Sequence, residues 1–302
     1  MQKFPLRHLL SIKQLDRSMI ETILKTAQQL LNDCNHDLQG KLIANLFFEA
    51  STRTRISFQI AEERLGAMSI TPEMQSTSLT KGESLLDTIK TIEAMGVNAF
   101  VIRHRENGIM SWIAEHLNGN THIINAGEGW LQHPTQALLD LFTIQQFKPD
   151  WATLSVAIIG DLLHSRVARS LVDALHIMDV KDIRLIAPSV LHPEEDISKK
   201  THNFTDLAEG LADTDVVVCL RLQKERMSRE HLINESEFCR LYAINANSIK
   251  YAKPDAIVMH PGPINREIEI SSDVADSKAS VILNQVKNGV AIRMAVLKLL
   301  LS

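Results

Sequence analysis

The sequence predicts an α/β protein built from two doubly wound parallel-sheet domains. Two successive sets of alternating strands and helices support this prediction, and a turn at residues 148–150 separates the two sets. A long apolar helix then follows a second set that is already complete. We therefore expect residues 1–148 and 149–279 to form separate domains, with the C-terminal helix, residues 280–302, packing back on the first domain.

The first set contains four predicted strands, and the helix after the first of them is amphipathic. We expect Ile56, Ile60 and Leu65 to lie on the inward face of this helix and Glu62, Glu63 and Arg64 on its outward face. The predicted elements are a helix within residues 15–31, strand 42–48, helix 55–65, strand 68–70, helix 84–95, strands 99–102 and 122–125, and helix 133–147.

The second set begins with an apolar strand that ends in Gly160-Asp161. The predicted elements are strand 154–159, helix 166–178, strand 183–187, helix 204–211, strand 216–220, short strands 242–246 and 257–259, and helix 280–300. Open α/β sheets of this kind bind ligands at the carboxyl ends of their strands.

Size and composition exclude several classes of protein. The 302 residues, 45% hydrophobic and 23% charged, are typical of a soluble globular chain, and no stretch approaches the length that spans a bilayer. The net charge of −4 argues against binding to nucleic acid. Cys34, Cys219 and Cys239 show no paired spacing, which argues against a disulfide framework or a cysteine-based zinc site. We therefore expect a cytoplasmic protein without a metal or a signal peptide.

The most informative stretch is Ser51-Thr52-Arg53-Thr54-Arg55, between a predicted strand and a predicted helix. The first backbone N–H groups of a helix lack helical partners and lie at the positive end of its dipole. Three hydroxyl groups and the planar guanidinium of Arg53 add further donors, so the turn is suited to a phosphate or another anion. The alternative interpretation is a Ser/Thr helix cap beside two solvated arginines.

Five further polar clusters follow predicted strands. They are Arg103-His104-Arg105, His133-Pro134-Thr135-Gln136, Arg166, Arg221-Leu222-Gln223 and His260-Pro261-Gly262-Pro263. Each has a simpler explanation by itself, such as a solvated arginine, a structural histidine or a rigid turn. Because strand ends converge in this topology, we expect the clusters to face one cleft. Many cations grouped without anions would repel one another, which predicts anionic ligands.

Several motifs of other enzyme classes are absent from the sequence. There is no Gly-x-x-x-x-Gly-Lys phosphate loop, which disfavours an ATP hydrolase, and no Gly-x-Gly-x-x-Gly, which disfavours a dinucleotide dehydrogenase. An ordinary doubly wound nucleotide-binding protein stays an alternative that nucleotide titration would test.

Five ordered motifs resemble one family over essentially the whole chain. The stretches 51–55 and 133–136 are similar to the carbamoyltransferases. The motifs Lys81-Gly82-Glu83-Ser84, 221–226 (Arg-Leu-Gln-Lys-Glu-Arg) and 260–266 (His-Pro-Gly-Pro-Ile-Asn-Arg) are similar to the aspartate carbamoyltransferases in particular. Ornithine enzymes carry a Cys-bearing His-Cys-Leu-Pro turn near the C-terminal end, and this chain lacks it. The loop before Lys81 is one residue shorter than in some members.

The resemblance implies transfer of the carbamoyl group of carbamoyl phosphate to the amine of L-aspartate, in pyrimidine biosynthesis and without a cofactor. The residues implied to bind carbamoyl phosphate are Ser51, Thr52, Arg53, Thr54, Arg103, His133, Gln136, Gly262 and Pro263. Among them, the implied catalytic donors to the carbonyl oxygen are Thr54, Arg103 and His133. The residues implied to bind aspartate are Lys81, Arg166, Arg221 and Gln223.

Lys81, with a nearby serine, is implied to reach in from a neighbouring subunit, so the resemblance predicts a homotrimer with shared active sites. Regulatory or dihydroorotase-type partner chains are compatible with it. A carbamoyltransferase for another amino-acid acceptor is one alternative, against which the motifs at Lys81 and Arg221 argue. A non-catalytic homologue is another, against which Arg53, Arg103 and His133 argue.

Overall fold

A computed structural model describes residues 4–31, 36–74, 82–193, 201–227 and 233–302. The chain divides into two compact units, Met1–Leu139 with Lys287–Ser302, and Asp140–Val286. Over the described ranges, no helix combines the length and the apolar character that crossing a membrane requires.

The first unit is built on a parallel sheet. Its elements in chain order are α1 (Arg17–Leu30), β1 (Leu42–Phe47), α2 (Thr52–Arg64), β2 (Met68–Ile70), α3 (Leu85–Ala94), β3 (Ala99–His104), α4 (Ile109–His116), β4 (His122–Glu128) and α5 (Pro134–Phe147). The strands pair in the order β2-β1-β3-β4, and every pairing is parallel. Ile43, Ala44 and Leu46 of β1 are fully buried, as expected for a strand inside a parallel sheet.

The second unit has the same plan. Its elements are β5 (Ser155–Ile159), α6 (Arg166–Ile177), β6 (Asp182–Ile186), β7 (His202–Phe204), α7 (Leu207–Leu211), β8 (Val216–Cys219), α8 (Glu235–Tyr242), β9 (Ile257–Met259) and α9 (Ser272–Ala275). The strands pair in the order β7-β6-β5-β8-β9, again all parallel. The prediction of two parallel-sheet α/β domains is confirmed.

The last helix, α10 (Ile282–Leu301), contributes its final residues to the first unit, as predicted. The Arg293 guanidinium lies 5.0 Å from the centre of the Phe58 ring on α2, and both side chains are buried. A cation over a desolvated aromatic face stabilises this packing.

Two details of the predicted elements are wrong. The strand expected at 242–246 is not formed, because α8 ends at Tyr242 and Ile244 makes only an isolated bridge to Ile270. The strand β7 escaped prediction because His202 and Asn203 are exposed at the sheet edge and carry no apolar alternation.

The burial of helix α2 agrees with the prediction only in part. Leu65 is buried and Glu63 and Arg64 are exposed, as expected, but three other residues differ from the prediction. Ile56 and Ile60 are 44% and 39% exposed, whereas Glu62 is fully buried. The small residues Ser57 and Ala61 occupy the buried face. Asn45 of β1 donates a hydrogen bond from Nδ2 to Glu62 Oε2 (2.8 Å), which compensates part of the cost of burying that carboxyl group. The spacing of hydrophobic residues along α2 shows that the helix has an apolar face. It does not show whether that face packs in the core or stays exposed.

Candidate active site

The predicted anion site lies where β1 leads into α2. Ser51 is the N-cap of this 13-residue helix, but its hydroxyl makes no capping hydrogen bond. Thr54 is buried at 6% exposure, while the Arg53 side chain is exposed. The start of the helix therefore carries the positive end of its dipole and a Ser51 hydroxyl that is not used as a cap. Both features are suited to binding an anion.

Arg103 comes from the strand beside β1. The register pairs Phe47 with Arg103, and the Phe48 N–H donates to the Arg103 carbonyl (2.9 Å). The carboxyl ends of β1 and β3 thus lie side by side. Glu49 Oε2 lies 3.3 Å from Arg103 Nε, and both side chains are mostly buried.

His133 and Gln136 begin the helix that follows β4, the next strand in the sheet. Pro134 is the first helical residue, a position that suits proline because the N–H it lacks would have no helical partner there. The His133 carbonyl accepts the N–H of Gln136 (3.0 Å), and both side chains are buried, at 3% and 7% exposure. Three predicted clusters of the first unit therefore lie at one edge of its sheet.

In the second unit, Asp161 joins the loops that follow β5 and β8. Its Oδ1 accepts the His164 N–H (3.1 Å), and its Oδ2 accepts the Gln223 N–H (3.1 Å). The preceding Gly160 has φ +126°, and a Cβ there would lie 2.2 Å from the Leu220 carbonyl oxygen. Glycine is required because the two strand ends approach so closely. In the sequence, Asp161 stands out only as the residue after a strand, and nothing local predicts this role.

Arg166 and Arg221 also lie at strand ends of the second unit. Arg166 is the first residue of α6, is 5% exposed, and follows the cap Ser165, whose hydroxyl accepts the Ala168 N–H (3.1 Å). Arg221 follows β8, and Glu225 accepts hydrogen bonds from both of its terminal nitrogens. This pairing raises the pKa of Arg221 and lowers that of Glu225, so both groups are ionised.

The premise that the predicted cations lack anions is therefore wrong. Glu49 pairs with Arg103, and Glu225 pairs with Arg221. Glu225 lies four residues after Arg221, and that spacing was an available signal. Glu49 is far from Arg103 in the sequence, so no local pattern indicated that pair. Mutual repulsion of the arginines does not by itself require an anionic ligand here.

The sixth cluster, His260 to Pro263, follows β9. His260 is 2% exposed, and Gly262 adopts a left-handed backbone with φ +70°, which favours glycine. The clusters of the second unit thus also lie at strand ends, while the expectation of a single cleft stays a prediction. Lys81 and the serine expected near it lie outside the described residues. In the described ranges, no three His, Cys, Asp or Glu side chains group as metal ligands would.

Comparison with known proteins identifies the class of protein that this fold and these motifs define. The model for the aspartate/ornithine carbamoyltransferase carbamoyl-P binding domain matches residues 7–146, and that for the Asp/Orn binding domain matches residues 152–300. The chain therefore belongs to the aspartate/ornithine carbamoyltransferase family.

The relatives narrow this assignment. The chain is 50% identical over 307 residues to an aspartate carbamoyltransferase catalytic subunit from Coxiella burnetii, covering 100% of this chain and 98% of that protein. It is 31% identical to aspartate transcarbamoylase from Trypanosoma cruzi in complex with carbamoyl phosphate and aspartate, with a TM-score of 0.91 and coverage of 99% and 98%. Ornithine carbamoyltransferase from Thermus thermophilus shares the fold, with 23% identity, a TM-score of 0.87 and coverage of 98% and 99%. The predicted resemblance to the aspartate carbamoyltransferases is confirmed.

Proposed function

We propose that this chain transfers the carbamoyl group of carbamoyl phosphate to the amine of L-aspartate, giving N-carbamoyl-L-aspartate and phosphate for pyrimidine biosynthesis. The observation that carries the proposal is full-length similarity to aspartate carbamoyltransferases, with the donors of the first unit lying at one sheet edge. Carbamoyl phosphate binds to residues 1–148 together with the C-terminal helix, residues 280–302. Aspartate binds to residues 149–279.

The phosphate of the donor substrate binds at the start of α2. Ser51, Thr52 and Thr54 provide hydroxyl groups there, and Arg53 provides a guanidinium that can contact two phosphate oxygens. The uncapped Ser51 hydroxyl supports this assignment, because a capping hydrogen bond would compete with a ligand.

Catalysis depends on positioning and on polarisation of the carbonyl group. Thr54, Arg103 and His133 donate to the carbonyl oxygen as negative charge develops on it, and loss of one such donor typically costs about 10²–10³ in turnover. Holding both substrates in attack geometry can contribute as much as ~7–11 kcal/mol. Gln136 and the turn at Gly262 and Pro263 contact the carbamoyl nitrogen.

No covalent intermediate is needed. Burial raises the pKa of the Cys219 thiol far above its ordinary value, so this cysteine stays protonated and unreactive. The neutral amine of aspartate attacks the carbonyl carbon directly, the bond from that carbon to the phosphate oxygen breaks, and the departing phosphate takes up the proton that the nitrogen loses.

Selectivity for aspartate follows from charge. Arg166, Arg221 and Lys81 provide cationic donors for two carboxylates, with the charge of Arg221 partly offset by Glu225, and Gln223 adds an amide. A cationic acceptor such as ornithine would be repelled. We expect a strong preference for aspartate when the two amino acids are compared as acceptors with carbamoyl phosphate. Preference for ornithine would overturn the proposal.

The chain functions in the cytoplasm as a homotrimer with shared active sites. Ile56 and Ile60 of α2, together with Met68 and Ile70 of the edge strand β2, leave large apolar side chains exposed in a single chain. An apolar surface of this kind is suited to a second copy.

Sharing of the site can be tested by mixing two inactive variants. Lys81→Ala and Arg53→Ala chains should recover part of the activity when they reassemble together, because some sites then receive both intact residues. Each variant reassembled alone is the control. Mixed trimers without any recovery would argue against a contribution of Lys81 across subunits.

A further inference from the structure

A buried carboxylate from the end of strand β4 caps the start of helix α4. Glu128 is the last residue of β4 and is 5% exposed. Helix α4 begins at Ile109, and its N-cap Gly108 has no side chain that could cap it. Glu128 supplies the cap instead, because its carboxylate accepts the backbone N–H groups of Gly108, Ile109 and Met110. The function proposed above gives Glu128 no role.

The surroundings of this carboxylate favour its charged form. Asn125 is fully buried and donates from Nδ2 both to Glu128 Oε2 (3.2 Å) and to the Leu10 carbonyl (2.7 Å). Burial raises the pKa of Glu128, while the three helix N–H groups and the Asn125 amide oppose the rise. An amide in place of the carboxylate would offer one acceptor oxygen, and its NH₂ group would face other donors.

The backbone of Glu128 also begins the turn that leads to His133. The Glu128 N–H donates to the Gln132 carbonyl (2.9 Å), and the Leu131 N–H donates to the Glu128 carbonyl (3.1 Å). His133 comes directly after Gln132 and precedes the first residue of α5. The turn formed by residues 128–132 is therefore closed by its own backbone, and its placement determines where His133 lies.

The same turn is bonded to the segment that connects β3 to α4. The Gly129 N–H donates to the His104 carbonyl (3.0 Å), and the Trp130 N–H donates to Asn107 Oδ1 (3.2 Å). A Cβ at Gly129 would lie 1.8 Å from Asn107 Oδ1, so this approach requires glycine. Together with the carboxylate contacts at the start of α4, these bonds hold the turn against the connecting segment.

Two of the proposed carbonyl-oxygen donors lie at the ends of these bonded segments. Arg103 directly precedes the β3–α4 connection, and His133 directly follows the turn 128–132. Groups that stabilise a transition state contribute fully only when they are held within about 0.5 Å of the productive geometry. Loosening the turn from the start of α4 would let His133 move relative to Arg103.

We propose that Glu128 is a positioning residue, which holds His133 in place relative to Arg103 by fixing the turn 128–132 on the start of α4. The inference rests on the proposed function. Glu128 itself does not contact the substrate, so its effect on turnover passes through His133.

A double-mutant cycle between Glu128→Gln and His133→Ala tests this dependence, with kcat measured on the assembled enzyme at saturating concentrations of both substrates. We expect Glu128→Gln alone to lower kcat by about tenfold, a part of the 10²–10³ that complete loss of a donor typically costs. In the His133→Ala background the same change should lower kcat by about twofold or less, because the group that Glu128 positions is already gone. The KM for aspartate should not change in Glu128→Gln.

Asp16→Asn is the matched control, because it also replaces a capping carboxylate by an amide. Asp16 Oδ1 accepts the Met19 N–H (2.8 Å) at the start of α1. This variant should leave kcat unchanged in both backgrounds. An equal loss of kcat from Glu128→Gln with and without His133, or no loss in either, would overturn the inference.

A second variant covers the case in which Glu128→Gln does not fold. Asn107→Ala removes the acceptor of the Trp130 N–H on the other side of the same turn, at an exposed position. It should lower kcat by about two- to fivefold, the value of one hydrogen bond, and again only while His133 is present. An equal loss in the His133→Ala background would refute the positioning role. Failure of the unmodified enzyme to carbamoylate aspartate would instead contradict the proposed function.

Discussion

Glu62 provides a sharp test of how helix α2 is held against its sheet. Its carboxyl group is fully buried, and desolvation raises its pKa to about 7, although hydrogen bonds from Ser69 and Asn45 partly oppose the rise. Helix α2 also begins at the proposed phosphate site. The protonation of Glu62 therefore affects how firmly the element that carries this site is held against the sheet. Glu62→Gln replaces the neutral acid with a neutral amide of the same shape.

The size of the effect follows from proton linkage. Each pKa unit corresponds to about 1.4 kcal/mol, so a rise from 4.5 to about 7 amounts to about 3 kcal/mol. Between these pH values the folded chain holds a proton that the unfolded chain has released, so stability falls as pH increases. The contribution is fully present below pH 4.5 and is lost above pH 7.

Urea unfolding at pH 4.5 and pH 8 measures this contribution. The quantity compared is the free energy of unfolding of Glu62→Gln minus that of the unmodified chain. We expect this difference to be about 3 kcal/mol more favourable to the variant at pH 8 than at pH 4.5. Glu63→Gln is the matched control, since Glu63 is the exposed neighbour on the same helix and should show no such change. A Glu62→Gln difference that is the same at both pH values would refute the reasoning, as would an equal shift in Glu63→Gln.

Two further predictions concern the arginines. Arg53→Ala should raise the KM for carbamoyl phosphate and should lower kcat by about 10²–10³, the cost of one lost donor. Arg55→Ala is the control and should change both constants only slightly. If steady-state kinetics give unchanged values for Arg53→Ala, Arg53 does not belong to the site. Glu225→Gln should raise the KM for aspartate about two- to fivefold, because a half-exposed pair that orients Arg221 is lost, and leave the KM for carbamoyl phosphate unaltered. An unaltered KM for aspartate would show that Glu225 does not orient Arg221.

Much of the fold followed from local patterns in the sequence. Apolar runs such as residues 42–48 marked the inner strands. Edge strand β7 was missed because it has no apolar alternation of its own and pairs along β6 at the edge of the sheet. Helix α8 was missed although it carries local signals, the cap Asn234 and the buried pair Phe238 and Tyr242 one turn apart. The motifs at Ser51 and His133 indicated the family because each combines several residue types at fixed spacing.

The sequence alone was therefore sufficient for most of the elements, for the polar clusters at strand ends and for the family, all of which depend on residues close together in the chain. Only the tertiary structure decided which face of α2 is buried and that Asn45 pairs with Glu62, 17 positions away in the sequence. It also decided that His260 and Glu269 meet in the interior. Burial and hydrogen bonding between distant residues arise when elements pack together, and local composition does not encode the register of that packing.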